Sequence, residues 1–386
     1  MRKIKNVFHF VNALLAVVVN GYPARQLKVI GVTGTDGKTT TSTIIYEVLK
    51  AAGGKVALIS TVAAFIGEEE IDTGFHVTSP EPWALQRLIK KIVNKGYEYL
   101  VLEATSHGLD QSRLLGANIN IGVLTNVTHE HLDYHKTYQK YLAAKAKLLN
   151  GADYAVLNKD DRSYVLVMEN LKTVLVPYSG KEAPAYVLAK FKEDYNRQNA
   201  QAAVAVGRLL SFSEKIIEEG INNFTGVKGR MEEIENNKGL KIVVDFAHTP
   251  NALENALKAL KKETRGKLIA VFGHAGKRDT SKRPMMGKAA SELADETVLT
   301  AEDPRGEMVE VINLQIKSGA TTNRGHMHSI PNRQRAIDFA VNKLAKKGDT
   351  VGIFGKGHEQ SMNIDGKIEE PWSDHKAVMK ALVSDN

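Results

Sequence analysis

Residues 29–41, VIGVTGTDGKTTT, pass from an apolar run through a glycine-rich turn into a threonine-rich segment that reads as helix. Gly34 and Gly37 let backbone N–H groups approach phosphate oxygens, and a helix N-terminus behind them adds its positive end. Lys38 then reaches the β- and γ-phosphates, and the Thr39 hydroxyl is placed to ligate Mg2+. The spacing departs from the strict G-x-x-x-x-G-K-[ST] loop, because Val32 stands where the first glycine would be. A chance turn would not also have a strand before it and an amphipathic helix after it. The candidate ATP-binding loop is therefore Gly34, Thr35, Asp36, Gly37, Lys38, Thr39 and Thr40.

Two further segments carry chemistry. Glu103 ends the apolar run in LVLEATSHGL, and TNVTHEHLDYH brings three histidines, His129, His131 and His135. Both follow strand-like runs, and ligands of open α/β sheets gather at such strand ends. A carboxylate and an imidazole there make a second Mg2+ site, although imidazole is an unusual ligand for that ion. Residue chemistry alone does not choose among the three histidines. Lys145, in YLAAKAKLL, reads on pattern alone as a solvated helix position.

These residues need strands and helices to hold them. Apolar runs at 27–32, 56–61, 98–104, 119–125 and 152–157 are apolar on both faces, as parallel strands covered by helices are. Between the first two, Ile44, Ile45, Val48, Leu49 and Ala52 share a helix face that Gly53-Gly54 ends. A second series begins near 239 with GLKIVVDFA, a helix opened by Thr249-Pro250, KLIAVFG, ETVLTAED and DTVGIFGKG. The pattern breaks around 228–238, which predicts a short helical segment over 1–28, a phosphate-loop domain over 29–229 and a C-terminal domain over 230–386. The expected class is α/β, a P-loop central domain with a mostly parallel sheet followed by a Rossmann-like domain.

Composition agrees and excludes alternatives. The 386 residues exceed one ordinary core; 43% are hydrophobic and 25% charged, as in a globular protein. The absence of cysteine removes disulfides, thiolate metal sites and Cys nucleophiles. The net charge of +8 suits anionic small molecules, and its even spread disfavours a nucleic-acid role. In the opening MRKIKNVFHFVNALLAVVVN, Val7, Phe10, Val11, Leu14, Leu15 and Val18 fall near a 3.6 period. An amphipathic helix is expected there, ahead of an export signal or a membrane-surface helix begun by Arg2, Lys3 and Lys5.

The G-T-x-G-K-T-T form of the loop resembles the Mur ligase family, ATP-dependent enzymes that add amino acids to the peptidoglycan precursor. The likeness runs from Gly21 to about residue 382, and is greatest to the branch that adds the third residue of the stem peptide. It implies two Mg2+ ions, and Asn126 to Asp133 matches the family's N-[VL]-[ST]-x-[DE]-H-[LM]-D, which singles out His131 and includes Asn126. It also implies that a lysine of the YLAAKAKLL motif is carbamylated by CO2 and so becomes an anion that holds Mg2+. Lys145 fits that position, with Lys147 as the competitor.

Further matches follow in order. DYNRQNAQ implies an adenine contact from Asn199, GRMEE a phosphate clamp from Arg230, and VVDFAHTP a ribose partner in Asp245. Thr78-Ser79-Pro80 is similar to the family's T-T-P turn. With Thr105, Gln111 and Arg113, Thr78 and Ser79 would bind the acceptor. For the incoming amino acid the resemblance gives Arg278, Glu302, Asp303, Pro304 and Arg305, with Gly355 and Glu359 at the far end of a diamino acid. The family's D-N-P-R for meso-diaminopimelate here reads Glu302-Asp303-Pro304-Arg305. Asp303 adds a negative charge that suits lysine, whereas Arg305 suits a carboxylate; meso-diaminopimelate stands slightly ahead.

The resemblance thus implies a cytoplasmic, monomeric ligase that forms an acyl phosphate from a muramyl-peptide acceptor. Relatives carry an N-terminal domain of on the order of 90 residues for the uridine end of the acceptor. With only about 28 residues before the loop, the expectation is that the acceptor lacks that handle, that another chain supplies the domain, or that affinity for that end is lost. A ligase acting on folate or a polymer, a partner-dependent subunit and a P-loop kinase are the rivals. The last leaves DPR and GKGHE without a role.

Overall fold

The computed structural model describes residues 2–71, 79–128, 130–321 and 326–383, without the side chains of 2–4, 132 and 133. The chain forms two compact units, Met1–Thr225 and Gly226–Asn386.

The first unit is built on an eight-stranded sheet. Its strands are β1 (Lys28–Thr33), β2 (Val56–Ile59), β3 (Ala64–Ile66), β4 (Glu69–Ile71), β5 (Tyr99–Glu103), β6 (Ile119–Leu124), β7 (Tyr154–Asn158) and β8 (Val174–Tyr178), in the order β4-β3-β2-β5-β1-β6-β7-β8. Only β3 runs against the rest, pairing antiparallel with both β2 and β4. The central strands are apolar on both faces and buried, as layers of helix on each side require. The chain leaves β1 for β2 on one side of the β1–β5 pair and leaves β5 for β6 on the other, so a crevice opens at their carboxyl ends. Helices α1 (Arg2–Asn20), α2 (Lys38–Ala51), α3 (Pro82–Asn94), α4 (Ser106–Asp110), α5 (Leu132–His135) and α6 (Tyr138–Asn150) complete the parts that bear on the site.

The apolar face expected of α1 is not the face that packs. Ala13, Ala16 and Val17 are buried, whereas Val7, Phe10, Val11, Leu14, Leu15 and Val18 all point outward. The contact with α3 is close: Trp83 Nε1 donates to Asn12 Oδ1 at 3.0 Å, and Val17 lies against Gly116. Such an approach admits small and amide side chains and leaves no room for Phe or Leu. Periodicity found the helix and its apolar face and left open which face finds a partner.

The second unit carries a six-stranded sheet of β9 (Glu232–Ile234), β10 (Lys241–Asp245), β11 (Leu268–Phe272), β12 (Glu296–Leu299), β13 (His326–Ser329) and β14 (Thr350–Phe354), ordered β13-β12-β11-β14-β10-β9. All pairs are parallel except β10 with β9. The helix Pro250–Glu263 starts as expected, with Thr249 accepting from the Ala252 N–H, a cap worth about 1 kcal/mol. Its Leu253, Leu257 and Leu260 bury against Leu268, Ala270 and Phe272. This layer fixes the carboxyl ends of β10, β11 and β14.

Candidate active site

The turn after β1 is held by the strand beside it. Asn126, just past β6, accepts from the Asp36 N–H at 3.0 Å and donates to the Asp36 carbonyl at 3.1 Å. Thr125 Oγ1 donates to the same carbonyl at 2.7 Å. Gly37, the residue before α2, has φ 79, and a Cβ there would stand 2.2 Å from Asn199 Oδ1. Glycine is thus required twice at this position, for its dihedral and for the approach of Asn199. Asn199 itself is buried in the helix Asp194–Leu209 and accepts from Thr41 Oγ1 at 3.2 Å. The structure therefore places Asn199 under the loop, supporting it. Lys38 Nζ donates to the Thr35 carbonyl at 2.8 Å. Thr40 is half-buried in the first turn of α2.

Glu103 closes β5 opposite Val32, so its carboxylate faces the start of α2. Thr39 Oγ1 lies 3.2 and 3.1 Å from its two oxygens. On the other side Thr61 donates its N–H to Oε2 at 2.9 Å and its hydroxyl to Oε1 at 2.7 Å. The carboxylate is fully buried, yet hydrogen bonded at both oxygens, which is how a buried charge is tolerated. A hydroxyl and a carboxylate are hard oxygen donors that suit Mg2+, which takes one or two carboxylates and fills its shell with phosphate oxygens and water. Among the described residues no three His, Asp or Glu side chains form a ready metal cluster, so the donor set fits an ion that arrives with phosphates.

Lys145 and Lys147 have opposite surroundings. Lys147 is exposed and pairs with Asp110. Lys145 is buried, donates to the Gly34 carbonyl and lies 4.6 Å from the Tyr141 ring centre. Burial first, and the Lys38 charge second, hold its ammonium well below the usual lysine range. Tyr141 OH meets Thr35 Oγ1 at 3.1 Å, and the His131 ring is 6.1 Å from the Tyr141 ring. His131 has φ 55, a left-handed conformation that a non-glycine residue adopts at a cost. His135 is buried against Ser106 Oγ, and His129 lies outside the described residues. The loop, Glu103, Asn126, His131 and Lys145 thus converge on one strand-end crevice.

The residues expected to bind the acceptor also lie together. Thr105 caps α4 by accepting from the Gly108 N–H, and Ser79 Oγ meets Thr105 Oγ1 at 3.0 Å. Arg113 donates to Gln111 Oε1 at 2.8 Å and to the Ser79 carbonyl at 3.4 Å. Thr78 lies outside the described residues.

In the second unit, the segments after β11, β12 and β14 meet. The Gly276 N–H donates to the Asp303 carbonyl at 2.9 Å, which joins the loop that carries the exposed Arg278 to Glu302–Arg305. Pro304 packs so closely that a Cβ on Gly276 would stand 1.8 Å from its carbonyl oxygen. Asp303 Oδ1 accepts from Lys356 Nζ at 2.8 Å, and Asp303 Oδ2 from Arg305 at 3.2 Å. Lys356 also pairs with Glu359. The negative charge expected of Asp303 is therefore already spent on two cations, which removes it as a cue for a lysine substrate. Glu302 is buried against Gly355, whose φ is 108, and its Oε2 has no hydrogen-bond partner among the described residues. Burial pushes its carboxyl up to about 8. Asp303 and Arg305 are both left-handed, at φ 43 and 49, so strain gathers at this loop.

At the end of β10, Asp245 accepts from the Met231 N–H at 2.7 Å and the Ala247 N–H at 2.8 Å, and Arg230 lies over the Phe246 ring at 4.3 Å. The four residues that sequence reasoning passed over are Thr61, Thr125, Tyr141 and Lys356. Lys356 had a signal, since it stands inside GKGHE. The others act through hydroxyls that no spacing rule marks.

Comparison with known proteins agrees with this geometry. The profile of the Mur ligase middle domain matches residues 32–222, and that of the Mur ligase glutamate ligase domain matches 229–357. A UDP-N-acetylmuramoyl-L-alanyl-D-glutamate–2,6-diaminopimelate ligase of Bacillus licheniformis is 37% identical over 407 residues, covering 96% of this chain and 82% of its own. A solved structure of a ligase of that name shares 32% identity with a TM-score of 0.58, covering 92% of this chain and 78% of that one. The Yersinia pestis bifunctional folylpolyglutamate synthase/dihydrofolate synthase, complexed with AMPPNP and a Mn ion, shares the fold, with a TM-score of 0.68, 18% identity and coverage of 89% and 90%. A phosphate loop at the β1 switch point, a second α/β unit with its own strand-end cluster and these matches along most of the chain together make the protein a member of the Mur ligase family.

Proposed function

We propose that this chain is an ATP-dependent ligase of the MurE type, which joins a diamino acid to the free carboxylate of a muramyl dipeptide. The observation that carries the reading is the grouping of Lys38, Thr39, Glu103 and a buried Lys145 around one loop. In this reading an acceptor carboxylate oxygen attacks the γ-phosphorus of ATP, ADP leaves, and an acyl phosphate forms. The amine of the amino acid then attacks the acyl carbon; phosphate leaves and the amine loses a proton. Lys38 neutralises charge on the transferring phosphoryl group, and the loop N–H groups hold its oxygens.

Thr39, Glu103, His131 and Lys145 as its carbamate are the residues that would hold two Mg2+ ions, which supply charge neutralisation. Only a neutral amine adds CO2, and the burial that depresses Lys145 favours that form. Ser79, Thr105, Gln111 and Arg113 would orient the acceptor. In the second unit, the arginines would grip the carboxylates of the amino acid bidentately. With Asp303 paired internally, meso-diaminopimelate fits better than lysine. Dependence on ATP supports a cytoplasmic reaction.

The test is phosphate release by the purified chain with Mg-ATP across an acceptor panel. Release is expected with UDP-muramyl dipeptide plus meso-diaminopimelate. Turnover of folate with glutamate, and none with muramyl peptides, would refute the reading.

A further inference from the structure

The outward face of α1 is an apolar surface that the fold leaves unexplained. Val7, Phe8, Phe10, Val11, Leu14, Leu15, Val18 and Val19 are between 40% and 71% exposed. At about 100° per residue they occupy one continuous half of the helix, while Asn12, Ala13, Ala16 and Val17 occupy the half seated on α3. The helix is thus fixed to its unit by its small residues and presents its large ones to the outside. A stretch of eight exposed apolar side chains on one helix is the kind of patch that marks a contact.

We propose that α1 lies on an anionic lipid bilayer, with this face inserted at the headgroup boundary. The charge around it selects that occupant. From Met1 to Thr35 the sequence has no Asp or Glu, and it carries Arg2, Lys3, Lys5, Arg25 and Lys28. A basic start and an apolar face are the two components of interfacial helix binding. A second copy on the same face would bring two such unbalanced positive segments together. No helix among the described residues is long and apolar enough to cross a membrane, so α1 lies on the surface and does not span. Its length of about 28 Å, at about 1.5 Å per residue, is enough for a flat contact. Val17 packs on Gly116, three residues past Arg113, so the docked helix is continuous with the segment that carries the acceptor residues.

The experiment is co-sedimentation of the full chain with vesicles of phosphatidylcholine alone or mixed with phosphatidylglycerol, at low and raised salt. Binding is expected to the mixed vesicles, weaker to phosphatidylcholine alone and weakened by salt. The triple variant Phe10→Ser, Leu14→Ser, Val18→Ser changes only exposed positions and is expected to bind at least about ten-fold more weakly while keeping its affinity for Mg-ATP. In a separate variant, Phe8→Trp, the added tryptophan emission is expected to shift to the blue on mixed vesicles. The proposal is overturned if neither vesicle is bound, if the triple variant binds as well as the parent, or if the Phe8→Trp emission does not move. It is equally overturned if sedimentation equilibrium shows a dimer that the triple variant abolishes while vesicles are ignored.

Discussion

The two units place chemistry at the carboxyl ends of parallel strands, but they hold it in different ways. In the first, neutral hydroxyls and amides from Thr39, Thr61, Thr125 and Asn126 fix the loop and the Glu103 carboxylate. In the second, charges hold each other: the buried Asp303 with Lys356 and the half-buried Arg305, and Lys356 with the half-buried Glu359. A preset network of dipoles costs little to reorganise when a highly charged triphosphate arrives. If the proposed amino acid binds there, its charges would have to open this set of ion pairs in part, so the set would respond to the charge pattern of the ligand. Rate is therefore expected to depend on the first unit, and choice of amino acid on the second.

The largest effect should come from Lys38→Ala. It removes the cation proposed to neutralise the transferring phosphoryl group and is expected to lower kcat by about a thousand-fold in steady-state assays. Lys145→Ala should follow, with a loss of about a hundred-fold, and labelled CO2 should give a lysine carbamate carbon signal in the parent that the variant lacks. An equal signal in both would break the link between burial and carbamylation. Thr61→Val removes the hydroxyl that donates to Glu103 and is expected to raise the Mg2+ concentration for half-maximal rate by about ten-fold.

Effects in the second unit are smaller and of another kind. Glu302 keeps its proton in the folded state up to about 8, from an ordinary 4.5, so the unfolded chain releases that proton first as pH rises. Stability is then expected to fall between about pH 4.5 and 8. Glu302→Gln should flatten that slope in urea unfolding at pH 5 and pH 8; an unchanged slope would contradict a neutral Glu302. Smallest of all, Asp303→Asn should shift the preference between meso-diaminopimelate and lysine by less than about ten-fold, because the carboxylate is already neutralised. A larger shift, read as a ratio of kcat/KM values, would return Asp303 to the role that its charge alone suggested.

Much of this was legible in the sequence, for identifiable reasons. The central strands carry their β-branched runs on both faces, so β1, β2, β5, β6, β7, β10, β11, β12 and β14 stand out. The edges do not: β8 contains Pro177, β9 is Glu-Glu-Ile, and β13 is a His-Met-His-Ser run whose exposed face needs no apolar residues. At the site, the loop could be read because glycine spacing is dictated by backbone geometry. The partners that set Glu103 could not, since Thr61 reaches it from 42 residues away through a hydroxyl. The helix α1 shows the other limit. Its period was plain, yet which side faces inward depends on how closely α3 approaches, and that is a property of both helices.

The most direct test of the central claim follows an oxygen atom. The acceptor carboxylate is labelled with oxygen-18 and turned over with Mg-ATP and the diamino acid. Transfer of the γ-phosphoryl group to that carboxylate predicts one label in each phosphate released. Phosphate that carries oxygen from water alone, with amide product formed at the same rate, would contradict the account.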